Sequence, residues 1–213
     1  YYHQFLNYFF KGVKVGISGT HGKTTVTKFI ADNFDIDLLN DFGSEKNEEK
    51  LSNIVSEVYE KINTTEESSE ETKIQEVEIQ GYSVIGILKI DKIALEYPIL
   101  GITTNDAMKI SITKFWGPEL NEIGNVTLVG HNNVYGRMFA KLKDLENGDI
   151  IELTDMNNKT LRYKVFDQYI IDPNDLTCVE SVDPETRELT LLTCINRTKN
   201  RLVTKAREIE NNI

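Results

Sequence analysis

Three side chains in the second half of the chain have the types that nucleophilic acyl transfer requires. Cys194 ends an apolar run, and Arg201 begins the next apolar run seven residues later. His131 directly follows a third apolar run, residues 125–130. A thiolate nucleophile needs a proton acceptor or a cationic neighbour to form near neutral pH. Acyl transfer also needs a hydrogen-bond donor for the oxyanion that develops. His131 and Arg201 fit these two roles.

The spacing between Cys194 and Arg201 predicts that they are neighbours. Residues 195–200 have the length of a hairpin loop, which would put Arg201 on the strand beside Cys194. Arg197 is the alternative arginine, but it falls within the loop rather than at the start of a strand. A lone cysteine at a strand end is more often a small buried hydrophobe, so a structural Cys194 is the alternative on spacing alone. Cys178 lies in no motif, and we predict a structural role for it.

A second motif lies near the beginning of the chain. Residues 13–25 predict a strand, a glycine-rich turn and the start of a helix, with Gly22, Lys23 and Thr24 as candidate nucleotide ligands. The strict phosphate-loop pattern requires glycine at position 17, where this chain has Ile17. Residues 1–31 resemble the ATP loop of the Mur ligases. No second acidic strand for Mg²⁺ follows, so we interpret this segment as a remnant, with an ATP-dependent ligase fragment as the alternative.

The charge of the chain divides it into three parts. The 213 residues carry a formal net charge of −10, which argues against a nucleic-acid-binding surface. Residues 1–31 have four lysines and no acid, residues 32–80 have fifteen acids and four lysines, and residues 81–213 have nineteen acids and sixteen bases. We therefore predict a remnant over 1–31, an acidic stalk or linker over 32–80 and a catalytic domain over 81–208.

The apolar pattern predicts an all-β domain after a helix. Leu51, Ile54, Val58 and Ile62 recur at helical spacing, which predicts an amphipathic helix. Short strand-like runs separated by turn residues then predict a sandwich or closed barrel with one helical turn at 136–145. The predicted strands are 83–90, 93–99, 126–130, 149–153, 161–171, 188–194 and 202–206.

The sequence predicts neither a cofactor nor a membrane span. Its two cysteines cannot form a disulfide framework, and there is no Cys-x-x-Cys pair for zinc. We therefore expect no metal. No run of ~18 apolar residues occurs, so no membrane-spanning helix is predicted either.

Several motifs together resemble the sortases, the cysteine transpeptidases of Gram-positive bacteria. They are Gly130-His131, the segment 139–151 (FAKLKDLENGDII), the segment 190–194 (TLLTC) and Arg201, in the family's order. The resemblance covers residues 80–208. It implies a closed barrel of eight strands, and the short span between residues 171 and 188 favours a class D-like or related type.

The resemblance also implies a mechanism and partners. Cys194 would attack the Thr–Gly carbonyl of an LPXTG-like sorting signal and form a thioacyl enzyme. His131 would protonate the leaving amine, Arg201 would bind the oxyanion and Thr193 would line the groove. The partners would be surface proteins with a C-terminal sorting signal and an amine of a peptidoglycan precursor or pilin.

The resemblance also implies where the protein acts in the cell. Sortases act at the extracellular face of the membrane, although the usual anchoring helix is not found in this sequence. A non-catalytic β-barrel interaction module remains the alternative to an enzyme.

Overall fold

The computed structural model describes residues 45–64, 77–132, 137–195 and 199–209. Three short 3₁₀ helices, Asp91–Ile93, Phe139–Asp144 and Thr177–Val179, lie between the main elements. The helices are α1 (Glu45–Thr64) and α2 (Asn105–Ile110), and the strands are β1 (Glu78–Ile79), β2 (Tyr82–Ile90), β3 (Leu95–Leu100), β4 (Ile112–Trp116), β5 (Gly124–Val129), β6 (Ile150–Asp155), β7 (Thr160–Ile171), β8 (Arg187–Ile195) and β9 (Asn200–Glu208).

Eight of these strands form a closed barrel. Their order is β2-β3-β4-β5-β8-β9-β7-β6, and pairing between β2 and β6 closes the ring. The two-residue strand β1 pairs only with β2 and lies outside the ring. The pairs β3–β4 and β5–β8 are parallel, and the others are antiparallel. The predicted all-β fold with a closed eight-stranded barrel is confirmed.

Side chains that alternate along each strand point either into the interior core of the barrel or to its outer face. Leu189 and Leu191 of β8 join an interior cluster to which all eight barrel strands contribute. Leu192 and Cys194 of the same strand join a different cluster, outside the barrel, with Val129 and Val203. Successive side chains of a strand point to opposite faces, so Cys194 faces away from the barrel interior.

Helix α1 packs on the outside of the barrel. The predicted amphipathic helix is present, and its Val55 and Val58 are buried in a cluster that includes Leu100 of β3 and Ala107 of α2. The hydroxyl of Tyr59 donates a hydrogen bond to Glu96 at 3.0 Å. Part of the segment predicted as an acidic stalk is therefore in contact with the barrel, and the proposed domain boundaries stay predictions.

Three labelled elements, β1, β4 and α2, were not predicted from the sequence, although all seven predicted strands overlap observed ones. In β4 both faces are largely buried, so its side chains do not alternate between apolar and polar. Helix α2 has only six residues and begins at Thr104, whose hydroxyl accepts a hydrogen bond from the amide of Ala107 at 3.0 Å. None of the helices in the described part of the chain is both long and apolar enough to span a membrane.

Candidate active site

Cys194 and Arg201 are direct cross-strand partners near one end of the β8–β9 hairpin. Side chains paired in this way share one face of the sheet, with Cβ atoms ~4.5–5.5 Å apart. Cys194 is 8% exposed and Arg201 is 2% exposed. The prediction that Arg201 lies beside Cys194 is confirmed, whereas the competing Arg197 lies outside the described residues. The pairing puts a permanently charged guanidinium beside the candidate nucleophile.

His131 continues the strand on the other side of Cys194. Strand β5 runs parallel to β8, with Val129 paired to Leu192. His131 lies two residues after Val129, and Cys194 lies two residues after Leu192. The amide of Gly130 donates to the carbonyl of Leu192 at 3.3 Å, which extends the pairing past the end of β5. The three predicted catalytic residues thus lie at the ends of three adjacent strands.

Hydrogen bonds hold the chain on both sides of His131. The side-chain amide of Asn132 donates to the carbonyl of Cys194 at 2.9 Å. The amide of Phe139 donates to the carbonyl of His131 at 3.0 Å. The first bond ties the histidine segment to the cysteine strand, and the second ties it to the 3₁₀ helix that begins at Phe139. Asn132 was not assigned a role from the sequence, although its position next to His131 is a signal for one.

The surroundings of His131 favour its neutral form. Burial lowers the pKa of its imidazole below the ordinary value, and the positive charge of Lys109 lowers it further. Lys109 lies in the last turn of α2 and forms an ion pair with Asp106 at 2.9 Å. A neutral imidazole accepts a proton from a thiol, and the resulting imidazolium can then donate it. The contribution of Lys109 could not be predicted, because it depends on how α2 packs.

Thr193 lies on the opposite face of β8 from Cys194. It is fully buried, and its hydroxyl donates to the carbonyl of Gly130 at 2.7 Å. The contact that the structure shows is therefore with the segment that carries His131. A substrate contact of Thr193 remains only a prediction.

The other sequence candidates in the described part of the chain are not brought together with Cys194, Arg201 and His131 as reactive groups. Cys178 is fully buried, and burial raises its pKa to about 11. The candidate nucleotide ligands Gly22, Lys23 and Thr24 lie outside the described residues. Within the described ranges, no group of three or more His, Cys, Asp or Glu side chains is arranged to hold a metal ion.

Comparison with known proteins assigns the family. The sortase domain family matches residues 88–209, which is more than half of the chain. The chain belongs to the sortase family. Sortase A of Bacillus anthracis is 31% identical to it over 114 residues, which make up 53% of this chain and 53% of that protein. The match therefore spans little more than half of that relative's length.

Solved sortase structures share the fold. A sortase D5 transpeptidase of Clostridium perfringens has a TM-score of 0.58 and 24% identity, covering 78% of this chain and 100% of that one. Sortase C2 from pilus island 1 of group B Streptococcus has a TM-score of 0.56 and 24% identity, and the match covers 75% of this chain and 99% of that one. A lid mutant of sortase A from Corynebacterium diphtheriae has a TM-score of 0.58 and 20% identity, and the match covers 76% of this chain and 94% of that one. At these identities the likeness concerns the fold.

Proposed function

We propose that this sortase-family protein is a cysteine transpeptidase that cleaves an LPXTG-like sorting signal through a thioacyl enzyme. The observation that carries the proposal is the cross-strand pairing of Cys194 with Arg201, next to the segment of His131. This arrangement supplies a nucleophile, a proton carrier and a fixed cation within one row of side chains. Cys194 and its partner Arg201 lie on the outer face of the barrel, which a peptide can reach without entering the core.

The first half of the reaction forms the thioester. The Sγ of Cys194 attacks the carbonyl carbon of the Thr–Gly bond, and the guanidinium of Arg201 donates hydrogen bonds to the resulting oxyanion. As the tetrahedral intermediate collapses, the C–N bond breaks and the imidazolium of His131 gives its proton to the departing amine. The products are a thioacyl enzyme, a free glycine amine and neutral His131.

The second half of the reaction transfers the acyl group. His131 accepts a proton from the incoming amine, whose nitrogen attacks the thioester carbonyl. The C–S bond then breaks and releases Cys194 as the thiolate, while a new amide forms. We propose that the amine belongs to a peptidoglycan precursor or a pilin. We propose the class D-like or related type from the short span between residues 171 and 188.

The proposed substrates imply a location at the extracellular face of the membrane. A sorting signal and a cell-wall amine meet there, and no cofactor is needed for either half of the reaction. This location could be tested by protease accessibility of the protein on intact cells, with a cytoplasmic protein as the control. Digestion only after lysis would contradict it.

The decisive experiment uses the two cysteines of the chain as a matched pair. The protein is incubated with an LPXTG-type peptide, and intact mass spectrometry detects the acyl adduct. Cys194→Ala should abolish the adduct, whereas Cys178→Ala should retain it. Addition of an amine such as triglycine should then release the ligated peptide from the wild-type enzyme. Full turnover by Cys194→Ala would disprove the proposal, as would the absence of any adduct with a panel of sorting peptides.

A further inference from the structure

The connection between β7 and β8, residues 172–186, covers the same outer face that carries Cys194. Its 3₁₀ helix buries Cys178 in the apolar cluster of Cys194, and Leu176 and Val179 pack against that cluster. A peptide that approaches the thiol along this face therefore meets this connection. Its position must be fixed by contacts with the sheet beneath it.

One of these contacts is a buried ammonium group beneath a row of main-chain carbonyls. Lys205 of β9 is only 3% exposed, and its Nζ donates to the carbonyls of Cys178 at 2.9 Å and Glu180 at 3.0 Å. Asn125 of β5 adds side-chain donors to the carbonyls of Cys178 at 3.1 Å, Val179 at 3.0 Å and Glu180 at 3.3 Å. These carbonyls belong to the C-terminal end of a 3₁₀ turn, where a cation is favoured.

The complementary contact is a buried carboxylate beneath two main-chain amides. Glu188 of β8 is 1% exposed, and it accepts hydrogen bonds from the amides of Val182 at 2.7 Å and Asp183 at 3.2 Å. Arg207 donates to the same carboxylate at 2.8 Å. Within six residues the connection thus presents its carbonyls to a buried cation and its amides to a buried anion. Both halves of this stretch are therefore held to the sheet by buried charged side chains.

Burying two charges is expensive, so this arrangement needs a reason beyond stability. Replacement of a buried ion by an apolar side chain of similar size is often neutral or stabilising once its partners are also replaced. Burial lowers the pKa of Lys205, and the charge of Glu188 opposes that effect. Buried charges of this kind specify one arrangement where apolar contacts would allow several. Here the arrangement that they specify is the wall beside the candidate active site.

We propose that Lys205 and Glu188 are positioning residues that hold residues 176–183 as one wall of the peptide-binding groove. The proposal rests on the transpeptidase function proposed above. Lys205 pairs with Thr190, four residues before Cys194 on β8. At ~3.3 Å per residue, the Lys205–Thr190 pair lies ~13 Å along the sheet from the Cys194–Arg201 pair. Lys205 therefore cannot touch the reacting atoms. We call the contacts of Lys205 and Glu188 with residues 178–183 the clamp. Loss of the clamp should weaken peptide binding and leave the chemical step unchanged.

The first test separates peptide binding from chemistry. Lys205→Met keeps the volume of the side chain and removes its donors. We expect KM for the sorting peptide to rise about tenfold with kcat unchanged, because hydrogen bonds from a charged group are lost at the wall only. The rate at which iodoacetamide alkylates Cys194 should not fall, because a looser wall leaves the thiol at least as accessible as before. Tyr163→Phe, which removes a buried hydrogen bond to Asn121, is the control and should leave KM unchanged.

Several outcomes would overturn the proposal. An unchanged KM in Lys205→Met would do so, as would an equal rise in the Tyr163→Phe control. A fall in kcat together with slower alkylation would show that Lys205 acts on the catalytic residues instead. If Lys205→Met does not fold, Asn125→Ala removes donors from the same carbonyls without changing either buried charge, and the same comparison applies.

A second measurement is independent of the proposed enzyme activity. Hydrogen exchange of the amides of residues 176–183 should become faster in Lys205→Met, while exchange in β8 and β9 should not change. If the wild-type protein forms no acyl adduct but this loosening occurs, the clamp stands and the proposed function fails. If turnover is normal but the amides do not loosen, the clamp is wrong and the function stands.

Discussion

Gly130 separates strand β5 from His131, and it has no room for a larger side chain. A Cβ atom built on Gly130 would lie 2.9 Å from Cδ2 and 3.2 Å from Cε2 of Phe139, and 3.3 Å from Cγ1 of Ile112. Carbon atoms in favourable contact are ~3.5–4.0 Å apart. Phe139 is 1% exposed, so its ring cannot swing into solvent. Gly130→Ala must therefore displace either the ring or the segment that carries His131.

The effects of these displacements on stability and on rate can both be estimated. Forcing a methyl group into a packed core costs about 1–3 kcal/mol, which corresponds to a fall in Tm of about 2–12 °C for a chain of this length. A catalytic group displaced by ~1 Å loses rate by about 10²-fold. The overlap here is a few tenths of an ångström, so we expect kcat/KM to fall about tenfold. The loss should appear mainly in kcat, because the peptide groove is not touched.

The assay compares thermal unfolding and peptide turnover in three variants. Gly130→Ala should lower both Tm and kcat. Gly130→Ala combined with Phe139→Leu should recover part of the activity, because the smaller side chain leaves space for the new methyl group. Ile151→Val removes a methyl from the buried face of β6 at a cost of about 0.5–1.5 kcal/mol and should leave kcat unchanged. The reasoning fails if Gly130→Ala keeps full activity, or if the double variant is no better than the single one.

Two further predictions concern the ionisable groups. Lys109→Met should raise the pKa of His131, because it removes the positive charge that lowers it. The acid limb of kcat/KM that reports the imidazole should therefore move to higher pH; Lys92→Met is the control, and an unmoved acid limb would contradict the prediction. Iodoacetamide near neutral pH should modify Cys194 and spare Cys178, whose pKa burial raises to about 11. Peptide mapping checks this selectivity, and equal labelling of both would refute it.

The sequence predicted the cysteine–arginine pair because that pair is local. Cys194 and Arg201 are joined by a loop of hairpin length, and strand periodicity then places their side chains on one face. The position of His131 is different. It depends on the parallel register of β5 and β8, two strands about sixty residues apart in the chain. No spacing rule gives that register: the residue type and its place after an apolar run made His131 a candidate, and the resemblance to sortases then added its role.

The buried charges could not be predicted, because their burial comes from distant parts of the chain. Lys205 and Glu188 alternate with apolar residues along β9 and β8, which is the pattern of strands with one solvated face. The structure instead covers that face with residues 172–186. Lys109 likewise sits in a six-residue helix that has too few turns to show helical periodicity. In each case the covering segment, not the strand pattern, decides the environment of the charge.

The division of the barrel into two faces explains where its determinants of function lie. The interior is filled with large apolar side chains such as Phe139 and Tyr163, so it has no space for a peptide. Chemistry is therefore confined to the outer face, where Cys194 would be exposed to water without α2 and residues 172–186. These coverings create the low dielectric that strengthens the charge of Arg201 on a thiolate or oxyanion. It follows that changes in the covering segments should alter substrate choice and pH dependence, while interior changes away from Gly130 and Phe139, such as Ile151→Val, should alter stability alone.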